Sequence, residues 1–297
     1  MALEVVIHPS CQCFSKIDLR TTGSTPTVLS MAHRSEEATR RYAFGDTGLA
    51  AARLERVAEV FTPTSRSFLS GFAKESFDLA LDLGCATGHT THLIAEVLQP
   101  CHTIGMDRST SFISLARPTA TNAISFVEHD VTTVPFPAAA TDLIYCRFLL
   151  SHLVHPQSQV QQWSTQLKRN GILLLDEVEW IRTTDPVFGT YLEIVAAILK
   201  RQGNELYVGP LLEAMPDPVG LQRRSSKLAT VVPAAWQAAE MFLMNLRVWR
   251  DEPFVRESYG ERTLSNLESD LAILAESGRS SGEIVWGLRQ LAYQRAE

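Results

Sequence analysis

A doubly wound α/β fold with a mostly parallel sheet is what this sequence predicts, on three observations. From Phe77 onward, short apolar runs alternate with helical stretches, the mark of βαβ units. Two of those runs, LALDL and ILLLD, are apolar on both faces, as strands covered by helices on each side must be. The first run ends in a glycine-bearing turn that passes at once into a helix, within 81–91.

The elements follow in order. Residues 1–34 have little periodicity and many small polar residues (TTGSTPT), and read as an N-terminal arm. Residues 35–75 read as a helical cover. Leu49, Leu54, Val57, Val60, Phe61, Phe68 and Leu69 recur there at helical spacings, and Pro63 is expected to break the run. The core occupies 76–185, with strands at 78–83, 102–107, 123–128, 141–146 and 171–178 and helices over 88–98, 110–117 and 156–168. From 186 to 297 come cap helices and the strands that complete the sheet. Helices are expected at 186–202, 210–215, 233–249 and 261–277, and strands at 227–232 and 283–293. No internal repeat is visible.

Composition narrows the function. The chain has 297 residues, 45% hydrophobic and 20% charged, which suits a globular protein. Its net charge of −6 argues against nucleic acid as the main partner, because such binders need a basic face to release counterions. No apolar run reaches the roughly 20 residues of a membrane helix, and the N-terminus lacks the pattern of a secretion signal. Five scattered cysteines (Cys11, Cys13, Cys85, Cys101 and Cys146) suit a reducing compartment, so a cytoplasmic location is expected. Cys11 and Cys13 lack a second pair or His pair to complete a tetrahedral set, so no metal is expected.

Three motifs carry chemistry. LDLGCATGHTT places Gly84 and Gly88 in a strand-to-helix turn, where glycine lets the backbone approach a ligand beside a helix N-terminus. A tight turn with no ligand is the plainer reading. Asp107 ends the second strand, 23 residues past Gly84, near the spacing at which a carboxylate grips ribose hydroxyls. An aspartate capping the next helix would look the same. Third come HDVTTVPFP at 129–137 and TDLIYCRFLLSHL at 141–153.

Together these stretches resemble the class I, seven-stranded S-adenosylmethionine-dependent methyltransferases, in their small-molecule branch. Asp82, Gly84, Gly88, Asp107, Asp130, Pro135-Phe136, Asp142 and His152-Leu153 follow the family's order over about 76–178. The family's usual middle glycine is Ala86 here. The resemblance implies S-adenosylmethionine as cofactor. Asp82, Gly84 and Cys85, with Gly88, would hold its methionine end. Asp107 would take the ribose hydroxyls with Arg108 beside the adenine, and Asp130 and the Val131 backbone would face the adenine amine. Cys146, Arg147 and Phe148 would line the cofactor near the methyl. Tyr42 and Phe44, in the N-terminal cover, would lie near the methionine end, Tyr42 as a catalytic candidate and Phe44 beside the substrate.

For the acceptor, His152 is the first candidate base, since its ordinary pKa suits neutral pH. A His satisfied by neighbouring backbone is the alternative. Alternation places Glu177 and Glu179 on one face, where with Trp180 they could hold a cationic or N–H-bearing aromatic acceptor, Glu177 acting in catalysis. Solvated carboxylates at a strand end are the alternative. Trp249 is a further substrate candidate, although its helical spacing with Trp236, Met241, Phe242 and Met244 also fits a core.

Methylation of a small organic acceptor at N, O or C is the expected function, in a setting of secondary metabolism by analogy with the family. Catechol-type relatives carry a metal-binding carboxylate where Tyr145-Cys146-Arg147 stand, and base-amine methylases an Asn/Asp-Pro-Pro-aromatic run in the same place. A catalyst that uses the cofactor without transferring methyl stays open. So does an NAD-dependent oxidoreductase, which shares the first two motifs but accounts for neither Asp130 with Pro135-Phe136 nor Asp82. A homodimer is left open by the length of the arm and of the 186–280 segment.

Overall fold

The computed structural model describes residues 48–278 and 282–296. Helix α1, Gly48–Ser70, comes first, with Ala50, Ala58, Phe61, Ser65, Phe68 and Leu69 among its buried residues. Pro63 lies inside α1 and does not end it, which corrects the expected break. Its ring removes one N–H, whose partner would have been the carbonyl of Glu59; both residues are exposed. An interior proline costs about 3 kcal/mol. Burial of Phe61, Phe68 and Leu69 on either side, at about 1.5–3 kcal/mol each, outweighs it.

There follow β1 (Leu79–Leu83), α2 (His89–Leu98), β2 (His102–Asp107), α3 (Thr110–Ala116), β3 (Ile124–Glu128), β4 (Thr141–Arg147) and α4 (Pro156–Ser164). Then come β5 (Leu167–Thr183), α5 (Pro186–Arg201), α6 (Gly209–Ala214), β6 (Leu221–Val231), α7 (Ala235–Trp249), α8 (Pro253–Ser277) and β7 (Ile284–Arg295). The sheet has seven strands in the order β3-β2-β1-β4-β5-β7-β6. β1 to β5 pair in parallel, and β7 runs antiparallel to both β5 and β6. The strand order reverses between β1 and β4, which opens a crevice at their carboxyl ends.

Alternation along each inner strand feeds two cores. One face packs Leu81, Met106, Ile144 and Leu175 against Val160 and Trp163 of α4. The other packs Ala80, Leu143, Tyr145 and Leu174 against Phe68 and Leu69 of α1 and Leu93 and Ile94 of α2. A third core joins α1, α5, α7 and α8 above the sheet, through residues such as Phe61, Phe188, Phe242, Trp249 and Leu271.

Boundaries moved where tertiary pairing overrode local pattern. α4 ends at Ser164, short of the expected 168, because Leu167 already pairs with Thr141. β6 begins at Leu221, ahead of 227, since the polar run QRRSSK is an edge strand with little apolar alternation to announce it. α8 begins at Pro253, well before 261, and is kinked at Gly260, whose φ of 74° and ψ of 153° are not helical. Cys85 and Cys146 are free, buried thiols. Among the described residues, no helix is long and apolar enough to cross a membrane.

Candidate cofactor site

The crevice is floored by the turn from β1 to α2. Three residues in it take positive φ: Gly84 at 72°, Ala86 at 47° and Gly88 at 91°. The amides of Gly84 and Cys85 both donate to the Met106 carbonyl, at 2.8 and 3.0 Å, which pulls the turn over β2. Room for side chains is absent: a Cβ on Gly84 would lie 3.0 Å from Leu149 Cδ2, and one on Gly88 would lie 2.7 Å from Phe126 Cζ. Ala86 carries a Cβ in a left-handed conformation that costs an L-residue roughly 1–2 kcal/mol. No side chain caps α2, whose N-cap is Gly88, so its first amides point into the crevice as a ready anion site.

Asp107 joins two pieces of this floor. One oxygen accepts the Ala86 amide at 2.9 Å and the other the Ser109 amide at 2.8 Å. Ser109 is the residue that caps α3, taking the Phe112 amide at 3.2 Å, so Asp107 is not that helix's cap. Asp82 sits behind the turn, 1% exposed, and accepts the hydroxyls of Thr90 and Thr91 at 2.6 and 2.7 Å. Burial pushes its carboxyl up to about 6, against the pull of both hydroxyls and the Arg147 cation. Its place is that of a brace between β1 and α2.

On the rim, Arg108 and Asp130 are exposed. One Asp130 oxygen accepts the Thr132 amide and hydroxyl, at 2.9 and 2.7 Å. Val131 is buried, and its carbonyl takes the Trp163 indole N–H at 2.7 Å. Phe136 is likewise buried, under His129.

The opposite wall is the end of β4. Arg147 donates to Ser65 Oγ of α1 at 3.1 Å and lies 5.5 Å over the Phe148 ring. Phe148 has φ of 54°, rare for a bulky residue, and meets Phe61 edge-on at 4.9 Å. Behind them Asp176 accepts Ser65 Oγ at 2.7 Å, Tyr145 OH at 3.1 Å and Gln290 Nε2 at 3.2 Å. This cluster ties the cover helix to β4, β5 and β7, and sequence reasoning missed it.

Four of the expected contact residues are engaged within the protein. The Cys146 thiol is 0% exposed and points to Glu177 at 3.6 Å; desolvation keeps it protonated, so it lines no open surface. Glu179 is held bidentate by Arg289, at 2.7 and 3.0 Å, and has no charge to offer an acceptor. Trp180 lies flat against Gly287 with the Arg182 guanidinium 4.3 Å over its ring. Trp249 is 0% exposed within the cap core, beside Tyr191.

Glu177 is also fully buried. His152 ends a short 3₁₀ turn, Leu150–His152, and is half-buried. Burial, then the Arg53 and Arg108 cations, push its imidazole down to about 3. It is therefore neutral at pH 7. Tyr42 and Phe44 lie outside the described residues.

A family described as "Methyltransferase domain" matches residues 81–175, from Leu81 of β1 to Leu175 of β5. The uncharacterized methyltransferase YcgJ of Bacillus subtilis is 28% identical over 115 residues, 37% of this chain and 44% of that protein. Phosphoethanolamine N-methyltransferase 1 of Arabidopsis thaliana is 26% identical over 148 residues, 48% of this chain and 28% of that protein. The chain thus spans less than half the length of these curated relatives. A candidate methyltransferase of Bacillus halodurans shares the fold, with a TM-score of 0.51 at 15% identity, covering 79% of this chain and 100% of that one. Residues 81–175 thus match the methyltransferase domain family, and the seven-stranded sheet they belong to has the methyltransferase fold.

Proposed function

We propose that this chain transfers a methyl group from S-adenosylmethionine to a small organic acceptor. The observation that carries the reading is the clasp of Asp107 on Ala86, which sets a carboxylate, a glycine-cleared floor and an uncapped helix N-terminus side by side. Those three features fit the cofactor's ribose, its backbone-hugging tail and its carboxylate respectively. When bound, the cofactor supplies an electrophilic methyl on a sulfonium.

What the chain's own residues supply is alignment. Asp107 would take the ribose hydroxyls, and the first amides of α2 the carboxylate. Phe148 and Leu149 would close the β4 side and exclude water. Alignment of this kind contributes up to roughly 7–11 kcal/mol of a barrier. His152 would accept a hydrogen bond from the nucleophile at a ring nitrogen; with its imidazole near pKa 3 it adds little as a base, and transfer to an acceptor already neutral and nucleophilic needs none. Because relatives in Arabidopsis thaliana and Triticum aestivum are named as phosphoethanolamine N-methyltransferases, amines come first among acceptors, reacting as the free base after the ammonium proton is lost to water, with phenols and indoles of secondary metabolism next.

The test is calorimetric titration of S-adenosylmethionine and adenosylhomocysteine into the wild-type protein and Asp107→Ala. Charge-assisted hydrogen bonds are worth about 1.5–3 kcal/mol each, so the variant should bind at least about 100-fold more weakly. Folded wild-type protein that binds neither ligand would sink the proposal.

A further inference from the structure

Glu177 stands in the middle of β5, fully buried. Its cross-strand neighbour on β7 is Arg289, which would be the natural partner for a buried acid. Arg289 instead holds Glu179, which reaches it beside a bulge between Val178 and Trp180. Glu177 turns the other way, toward β4. There Oε1 accepts the amides of Leu149 and Leu150, both at 2.9 Å, and the Cys146 thiol at 3.6 Å. Its Oε2 is buried with no partner. An apolar side chain would fill the same volume without desolvating a carboxyl group. The acid's contribution is therefore the two backbone bonds.

Those bonds hold the segment that forms one wall of the crevice. Leu149 leans on Gly84, so that a Cβ there would lie 3.0 to 3.3 Å from three of its side-chain atoms. Just before it, Phe148 holds its positive φ, and just after it the 3₁₀ turn carries His152. A peptide segment with a left-handed bulky residue relaxes unless its neighbours over-determine it.

We propose that Glu177 is a positioning residue: by gathering the Leu149 and Leu150 amides on one oxygen, it fixes the Phe148–His152 segment against the glycine turn and so shapes the β4 wall of the cofactor cleft. The assignment rests on the function proposed above.

The test compares wild type, Glu177→Gln and Glu177→Leu by calorimetric titration of adenosylhomocysteine, thermal melting at pH 7.5 and amide hydrogen exchange at Leu149 and Leu150. Glutamine keeps the accepting oxygen and should bind within about threefold of wild type. Leucine removes it and should bind at least about tenfold more weakly, with faster exchange at both amides, while melting no lower than wild type. Three results overturn the assignment: a Leu variant that binds like wild type, a Gln variant as weak as Leu, or affinity lost only in step with melting temperature. Wild-type protein that binds no adenosylhomocysteine sinks the methyltransferase reading itself, and this assignment with it.

Discussion

Burial of Glu177 makes stability depend on pH in a way that one substitution should erase. Desolvation pushes its carboxyl up from the ordinary 4.5 to about 8, opposed by the amides of Leu150 and Leu149 and by the Cys146 thiol. The groups near it are that thiol and the adjacent Asp176 carboxyl, which raises it further. In the unfolded chain the acid ionises near 4.5; in the folded chain it stays protonated to about 8. The folded state thus binds the extra proton, and stability is lost as pH rises between those two values. At pH 7 the folded chain therefore loses about 3 kcal/mol relative to pH below 4.5, at about 1.4 kcal/mol per pH unit.

Glu177→Gln cannot ionise, so it should escape that loss. Urea unfolding of both proteins from pH 5 to 8 should show a difference that grows in favour of the variant, by about 3 kcal/mol between the ends. Asp82, raised to about 6 by burial, titrates in both proteins and cancels in the comparison. Parallel stability curves, separated by a constant amount over that range, would refute the reasoning. They would mean that Glu177 is ionised in the folded protein and that the Leu149 and Leu150 amides stabilise the anion.

Three further predictions concern the crevice. Gly88→Ala places a Cβ 2.7 Å from Phe126 Cζ at φ of 91°, and should destabilise by about 2–4 kcal/mol in denaturant titration; a loss under about 0.5 kcal/mol would deny the tight packing. Ala86→Gly relieves a left-handed alanine at φ of 47° and should gain about 0.5–1 kcal/mol, with melting temperature as the readout and a fall as the contrary result. His152 should stay neutral in an NMR titration down to about pH 5, and its lowered pKa should reduce stability only as pH falls below 6.5; a resonance titrating near 6.5 would place the ring in water.

The fold was legible because its signals are local. Runs such as LALDL and ILLLD are apolar on both faces, and a glycine turn followed by a helix shows in consecutive residues. Asp107 was legible for the same reason, as the last residue of a strand at a set distance from Gly84. What stayed hidden depends on depth and on distant pairing. Alternation puts Glu177 and Glu179 on one face, yet it does not say that Arg289, 110 residues on from Glu179, takes that glutamate while Glu177 turns to β4. Nor does helical spacing distinguish a Trp249 lining a pocket from one sealed in the cap core. The bond from Ser65 to Asp176, 111 residues apart, has no local trace at all.

The two neighbouring acids of β5 explain how the crevice wall keeps its shape. Asp176 faces α1, where it binds Ser65 and Tyr145, while its carbonyl accepts the Phe148 amide at 3.2 Å. Glu177 faces the other side of the sheet and binds the next two amides, those of Leu149 and Leu150. Three consecutive N–H groups around a left-handed residue are thereby fixed from one strand. A sparsely populated backbone conformation costs of order 1–3 kcal/mol, and three hydrogen bonds at about 1 kcal/mol each are enough to offset it. The wall's geometry is thus set from beneath, by buried residues. Substitutions at Asp176 or Glu177 should therefore disturb the shape of the cleft more than substitutions of exposed rim residues such as Asp130.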